Sequence, residues 1–241
     1  MKLHKQLRIN GERVTLNTDD VRLHLFNPGR AVFTVVSAQP VSGIVALDVG
    51  FDPAHLQQFF LGYVENSFAI DKKQQRVFCR ELNAALSRLV PVSLRNVNLN
   101  QVLEAIATET GLAFVTPTAA YTATNIPAFY SLHSGYHCMD SLGQVFQIPQ
   151  SLWQQQGDGK VFVGSWADSF WAGRTIELPS EWMASTGVAN KARIPAVPKL
   201  RPGAHLMSGD IVTQVHLDGE HMNITWNNNP WGTRWTNRSS V

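Results

Sequence analysis

Residues that can do chemistry are most concentrated in one short stretch, 133–140. It contains two histidines four positions apart, His133 and His137, followed by Cys138 and Asp140. Two imidazoles one helical turn apart, together with a carboxylate, are a common ligand set for zinc. A cysteine and a histidine also form the side-chain pair of thiol nucleophiles, provided that they lie close in space and a third group orients the base. The stretch therefore has to be tested against a metal site and a covalent catalytic site.

The element that carries this stretch argues against both sites. The apolar pattern after the cap residue Ser134 predicts a helix over 135–146, with the inner-face residues Met139, Leu142, Val145 and Phe146. His133 precedes that cap, so its ring and the ring of His137 are not expected to share a helical face. Residues 137 and 138 point in different directions on a helix, which separates the imidazole from the thiol. We predict no metal site, no catalytic residue and no bound cofactor.

The rest of the chain offers no catalytic motif that the residue spacing supports. Asp19 and Asp20 fall in a predicted turn, and the acids Glu65, Glu81, Glu104 and Glu109 are scattered, so no carboxylate pair for glycoside cleavage is evident. His216 and His221 flank a hairpin turn and favour a solvated cross-strand pair. A phosphate-binding loop, zinc-finger spacing and a Gly-x-Ser-x-Gly elbow are all missing. The sequence therefore disfavours an enzyme, with cell-wall hydrolysis kept as a third hypothesis.

The seven tryptophans all lie after residue 152. A tryptophan can anchor a core, stack on a sugar or form the centre of a protein interface. We assign Trp166 and Trp226 to the core, and we predict that Trp231 and Trp235 lie at a subunit or partner interface. The alternative is a β-rich carbohydrate- or receptor-binding tail module, which needs several rings exposed in one plane.

Composition favours a subunit of a permanent assembly. Of the 241 residues, 16% are charged and 44% are hydrophobic, and interface area can substitute for charged surface in such subunits. The net charge of +2 comes from scattered residues, which disfavours nucleic-acid binding. A signal peptide and an apolar run long enough for a bilayer are both missing, so we expect assembly in the cytoplasm and no stable membrane insertion. Cys79 and Cys138 are expected to be free and buried, with a disulfide between them left open.

The order of predicted elements is mainly β with short helices. About seven strands precede residue 83, beginning with a hairpin through Asn10-Gly11, and they suggest a closed or nearly closed antiparallel barrel. A strand–helix–strand unit follows, whose helix over 99–110 has Asn98 and Gln101 as a capping box and Gly111 as the C-terminal cap. The last hairpin turns at Asp218-Gly219. We divide the chain into an N-terminal barrel domain (1–92), an α+β domain (93–171), a β segment that completes the barrels (172–226) and a C-terminal arm (227–241).

Four pieces of the chain, in order, resemble the baseplate hub or late-control proteins of bacteriophage tails, a family that includes the head region of type VI secretion spike proteins. They are the paired strands 60–65 and 76–80, the helix 99–110, the segment 129–143 leading to 159–164, and the closing segments 198–206, 210–216 and 222–226. The resemblance implies two barrel-like domains of tail-hub type, which can interleave in sequence. It also implies a homotrimer around a channel that adapts the sixfold tail tube to the threefold tip.

The same resemblance implies where the protein acts and what it contacts. The expected location is the virion tail tip, after assembly in the host cytoplasm. The expected partners are the tail tube or distal tail protein, the tape-measure protein and a tip or spike protein. The function expected from the sequence is therefore structural.

Overall fold

The structure is a computed structural model that describes residues 2–183 and 190–232. It separates into two compact units. The first unit is discontinuous in sequence, formed by Met1–Glu81 and Arg174–Val241, and the second is the intervening segment Leu82–Gly173. The division of the chain at 92/93, 171/172 and 226/227 stays a prediction.

Seven strands lie before residue 82, the number that the sequence predicts. They are β1 (His4–Ile9), β2 (Glu12–Val14), β3 (Leu16–His24), β4 (Arg30–Val36), β5 (Ile44–Gly50), β6 (Gln57–Ala69) and β7 (Gln74–Glu81). The middle of the chain contains a 3₁₀ helix (Leu82–Ser87), β8 (Val92–Val97), α1 (Leu99–Thr110), β9 (Phe114–Val115), α2 (Ala120–Ala123), β10 (Ile126–Ser131), α3 (Gly135–Val145), β11 (Ser151–Gln155), β12 (Val161–Ser165) and a second 3₁₀ helix (Trp166–Asp168). The last part contains β13 (Thr175–Ile176), α4 (Ser180–Met183), β14 (Lys191–Pro195), β15 (His205–Leu206), β16 (Ile211–Asp218) and β17 (His221–Asn227).

Both predicted hairpins are present, one of them with a shifted turn. Asn10 and Gly11 connect β1 to β2 with φ angles of 51° and 85°, as a type I′ turn requires. In the last hairpin Asp218 pairs directly with His221, so the turn consists of Gly219-Glu220 rather than Asp218-Gly219. Gly219 has a φ of 58°, whereas Asp218 and Glu220 have no positive φ. Gly219 therefore takes the first central position of the turn, and the turn lies one residue further towards the C-terminus than predicted.

The first unit contains one sheet of 12 strands. Its main path runs β13-β15-β16-β3-β4-β7-β6-β5-β1-β2, and β17 pairs with both β14 and β16. The β16–β3 pairing joins the two sequence segments of this unit. The predicted mainly β class is confirmed. Closure of the sheet into a barrel is not detected in the described residues, so the barrel stays a prediction. The path ends at β2, and the single residue Thr15 separates β2 from β3 in the middle of the same sheet.

Alternation of side chains builds the core of the first unit. In β4, Ala31, Phe33 and Val35 are buried while their neighbours are less so, the pattern of a strand with one covered face. The ring of Phe33 packs edge-on against that of Phe60, with centroids 6.1 Å apart. Gly62 in β6 permits close approach of β7, because a Cβ there would lie 2.0 Å from the carbonyl oxygen of Arg80.

Helix α1 of the second unit is confirmed from end to end. The Asn98 side chain accepts a hydrogen bond from the Gln101 amide, the Gln101 side chain accepts one from the Asn98 amide, and Gly111 has a left-handed φ of 73°. Buried on its inner face are Leu99, Val102, Leu103 and Ile106. Local signals therefore set both ends of this helix, and apolar spacing sets its buried face.

Helix α3 and two small sheets form the rest of the second unit. Ser134 caps α3 by accepting a hydrogen bond from the His137 amide, as predicted. Its inner face differs in one position, because Val145 is 38% exposed. The sheets have two strands (β10-β8) and three strands (β11-β12-β9), and no barrel closure is detected in them. None of the helices described in either unit is long and apolar enough to cross a bilayer.

Candidate functional site

The cluster at 133–140 folds differently from the expectation at one point. The imidazole rings of His133 and His137 lie side by side, with centroids 4.5 Å apart and planes inclined by 59°. The prediction that these two rings occupy different faces is therefore wrong. His133 precedes the helix, but its carbonyl oxygen accepts a hydrogen bond from Val90 and the next residue bridges to Leu89, which holds the chain against α3.

The other two members of the cluster are engaged elsewhere. Cys138 is fully buried in α3, and burial raises the pKa of its thiol to about 11. Asp140 accepts a hydrogen bond from the indole nitrogen of Trp153 at 3.0 Å, and that indole stacks on Tyr136. A buried thiol with a raised pKa is a poor nucleophile. Across the described residues, no group of three or more histidine, cysteine or acidic side chains is placed to hold a metal ion.

The second cysteine is also unreactive. Both Cys79 and Cys138 are free and buried, and burial raises the pKa of Cys79 to about 12. The free-cysteine alternative is therefore the one that the structure supports.

Two of the acids and one of the histidines named above, Asp19, Asp20 and His216, have charged or polar partners within the first unit. Asp19 and Asp20 lie in β3, not in a turn. Asp20 binds Arg22 through two hydrogen bonds of 2.8 Å and lies 3.2 Å from His216 Nε2. His216 is opposite Asn223 in the ladder, so the predicted cross-strand pair of His216 with His221 is wrong.

A cleft of about 550 Å³ opens in the first unit beside β1 and β2. Lys5 and Asp19 lie in its lining. The Lys5 ammonium lies 2.6 and 2.7 Å from the two oxygens of Asp19 and also donates to the Gly219 carbonyl. Burial raises the pKa of Asp19 although Lys5 opposes the shift. Within this lining, Lys5 and Asp19 are therefore paired with each other.

A second buried ion pair links β7 to a distant part of the same unit. The Arg201 guanidinium lies 3.3 Å from Glu81 Oε1 and donates to the Phe59 carbonyl. Glu81 also accepts a hydrogen bond of 2.6 Å from the Gly29 amide. The Glu81 side chain is 5% exposed, and burial raises its pKa while Arg201 and the Gly29 amide oppose the rise.

The predicted interface tryptophans have different outcomes. Trp231 is 7% exposed, and its ring packs edge-on against Phe26 with centroids 5.9 Å apart. Trp235 lies outside the described residues, and the interface role of both stays a prediction. Trp166 and Trp226, which the sequence assigned to the core, are only half-buried.

An exposed apolar surface of the second unit was missed by sequence reasoning. Val92 pairs with Ser131 on the inner face of the β8–β10 ribbon, so the neighbouring positions on each strand point outwards. The outward side chains that extend the ribbon are apolar and exposed, and we call them the ribbon face: Leu89, Pro91, Tyr130 and Leu132. Leu89, Tyr130 and Leu132 are 73%, 66% and 57% exposed. The available signal was that the outward positions of the 126–132 segment, Ala128, Tyr130 and Leu132, carry no charged side chain.

Comparisons with known proteins show which sequences and folds this chain resembles. No family model matches the chain. It is 33% identical over 220 residues to a 58.7 kDa protein of the lys 3′ region of Haemophilus phage HP1, a match that covers 91% of this chain. The chain spans 41% of the length of that relative.

The solved structures that resemble the chain are more informative. A 43 kDa tail protein of prophage MuSo2 from Shewanella oneidensis superposes with a TM-score of 0.66, covering 93% of this chain and 96% of that protein at 10% identity. The chain has the fold of phage tail proteins. A tail protein from Neisseria meningitidis gives a TM-score of 0.64 at 10% identity, with 96% and 98% of the two chains covered.

A third tail-protein fold comes from a secretion system. An Escherichia coli component of the type VI secretion system, described as structurally similar to the tail proteins gp27 and gp5 of bacteriophage T4, gives a TM-score of 0.57 at 12% identity and covers 92% of this chain and 76% of its own. The predicted resemblance to the phage tail hub family is therefore confirmed at the level of the fold. At 10–12% identity these likenesses establish the fold and leave the role to the proposal below.

Proposed function

We propose that the chain is a structural subunit of a phage tail tip, a trimeric baseplate hub that adapts the sixfold tail tube to the threefold tip. The observation that carries this proposal is the tail-protein fold, which matches nearly the whole chain and nearly the whole MuSo2 protein. The likeness to the type VI component described as similar to gp27 and gp5 supports the hub position within the tail.

The mechanism is association rather than catalysis. Each subunit contributes two compact units, so a ring of three subunits would present six docking elements to a sixfold tube. The single-residue connection at Thr15 between the end and the middle of the sheet supports a barrel-like first unit. The pairing of Lys5 with Asp19 and the burial of both cysteines support a role without chemistry.

The ribbon face is the surface that we assign to a subunit or tail partner. Isolated exposed apolar residues are common, but adjacent ones on a two-stranded ribbon form a patch of the kind that interfaces cover. Tyr130 is of a residue type enriched among interface hot spots. The proposed partners are further copies of this chain, the tail tube or distal tail protein, the tape-measure protein and a tip or spike protein, all at the virion tail tip.

Oligomeric state tests the proposal directly. Sedimentation velocity at micromolar concentrations should give the mass of three 26.8 kDa chains. Leu132→Asp places a charge on the ribbon face and should shift the protein to smaller species, whereas Met207→Asp, at a residue 65% exposed in the first unit, should leave the mass unchanged. A stable, soluble monomer across this concentration range would overturn the trimer.

A further inference from the structure

We propose that His133 and His137 form a two-imidazole binding site for a divalent transition-metal ion with a preference for 90° ligand angles, such as Cu²⁺ or Ni²⁺. The carrying observation is that two exposed imidazoles, from different elements, lie 4.5 Å apart between ring centroids. This proposal goes beyond the structural role and does not depend on the oligomeric state.

The spacing of the rings fits one ion between them. With a metal–nitrogen bond of about 2.0 Å, the ion lies about 3.2 Å from the centre of each ring. Two such rings at a ligand angle of about 90° have centres about 4.5 Å apart, whereas a tetrahedral angle needs about 5.2 Å. The observed centroid separation of 4.5 Å equals the separation that a ligand angle of about 90° requires, the angle of square-planar and octahedral Cu²⁺ and Ni²⁺ sites.

Both histidines are fixed through their backbones. The His133 carbonyl oxygen accepts a hydrogen bond of 3.1 Å from the Val90 amide, in the extension of the β8–β10 ribbon. The His137 amide donates to the Ser134 hydroxyl, which caps α3. Gly135 between them packs against Leu86, where a Cβ would lie within 2.7 Å of the leucine side chain. These contacts fix the backbone positions from which the two rings extend, which lowers the entropic cost of bringing the two histidines together.

The imidazoles are also available. Within the part of the chain that the structure describes, neither ring has a hydrogen bond or an ion pair, and each has the other ring as its aromatic contact. Asp140, the carboxylate that sequence spacing offered as a third ligand, is bound to Trp153 instead. The remaining coordination positions would hold water, which makes the site open and exchangeable.

Titration of the full chain with NiCl₂ and CuCl₂ at pH 7.5, in a buffer that does not chelate metals, tests this site. Calorimetry should give one strongest site per chain, and His133→Ala or His137→Ala should each weaken it at least tenfold, because either leaves a single imidazole. The double variant should lose less affinity than the product of the two single effects, because each single substitution already abolishes chelation. His221→Ala, which removes an exposed histidine at the start of β17, is the matched control and should change nothing.

Nuclear magnetic resonance locates the ion independently of affinity. Substoichiometric Cu²⁺ should broaden the amide signals of residues 131–138 before those near the other histidines. Because both side chains are exposed, the alanine variants should keep the thermal midpoint of the parent protein. Affinity unchanged in His133→Ala and His137→Ala, or broadening centred on another histidine, would overturn the proposal.

Discussion

Removing Arg201 should destabilise the first unit far more than removing a surface arginine. Arg201 lies 120 positions from Glu81 in sequence, and its guanidinium compensates a carboxylate whose side chain is 5% exposed. Arg201→Met keeps much of the apolar stem but leaves the Glu81 charge buried without its cation. Breaking a buried ion pair in this way costs about 3–5 kcal/mol. The loss of the hydrogen bond to Phe59 is part of the same change.

Urea unfolding at pH 7 measures this cost, with the slope of the transition compared between variants to check that the same surface unfolds. Arg76→Met, at an exposed position in the same strand as Glu81, should change stability by no more than about 0.5 kcal/mol. Glu81→Leu combined with Arg201→Met should cost less than the sum of the single variants, since no charge is then left unpaired. Additive effects, or an Arg201→Met variant as stable as Arg76→Met, would refute the reasoning.

Three further predictions concern a cap, an acid and a close contact. Asn98→Ala should destabilise α1 by about 1 kcal/mol, measured by urea unfolding, because the first-turn amides lose their side-chain acceptor. Hydrogen bonding to Arg22 holds the pKa of the Asp20 carboxyl below its ordinary value of 3.8. The stability that this carboxylate contributes is therefore complete above pH 3.8 and is lost as the pH falls through the lowered pKa. An NMR titration midpoint above 3.8 would contradict this. Gly62→Ala should lower the free energy of unfolding by about 1–3 kcal/mol, measured by thermal unfolding, since the new Cβ would clash with the Arg80 carbonyl. An unchanged free energy of unfolding would contradict the argument, because β6 and β7 would then move apart without cost.

Local chemistry explains what the sequence could predict. The ends of α1 follow from Asn98, Gln101 and Gly111, all within one helical turn of the backbone groups that they satisfy. The Asn10-Gly11 hairpin is similar, because the two residues themselves supply the positive φ angles. Such features need no information about distant parts of the chain.

Features that depend on distant partners could not be predicted in this way. Asp19 and Asp20 are polar neighbours that are typical of a turn, yet both lie in β3, where Lys5 pairs with Asp19 and Arg22 pairs with Asp20. The backbone of His133 is placed by a hydrogen bond from the amide of Val90, 43 positions earlier in the chain. Helical periodicity alone therefore misplaced the ring.

The few charges of this chain also help to explain its exposed apolar surface. The Lys5–Asp19 and Arg201–Glu81 pairs have side chains between 5% and 16% exposed, so four of the charged groups contribute little to solubility. Charged residues make up only 16% of the sequence to begin with. Unpaired surface charge is what keeps exposed apolar side chains from associating. Leu89, Tyr130 and Leu132 therefore form an exposed apolar surface with few charges to offset it, which is the physical ground for assigning the ribbon face to an interface in the proposed function.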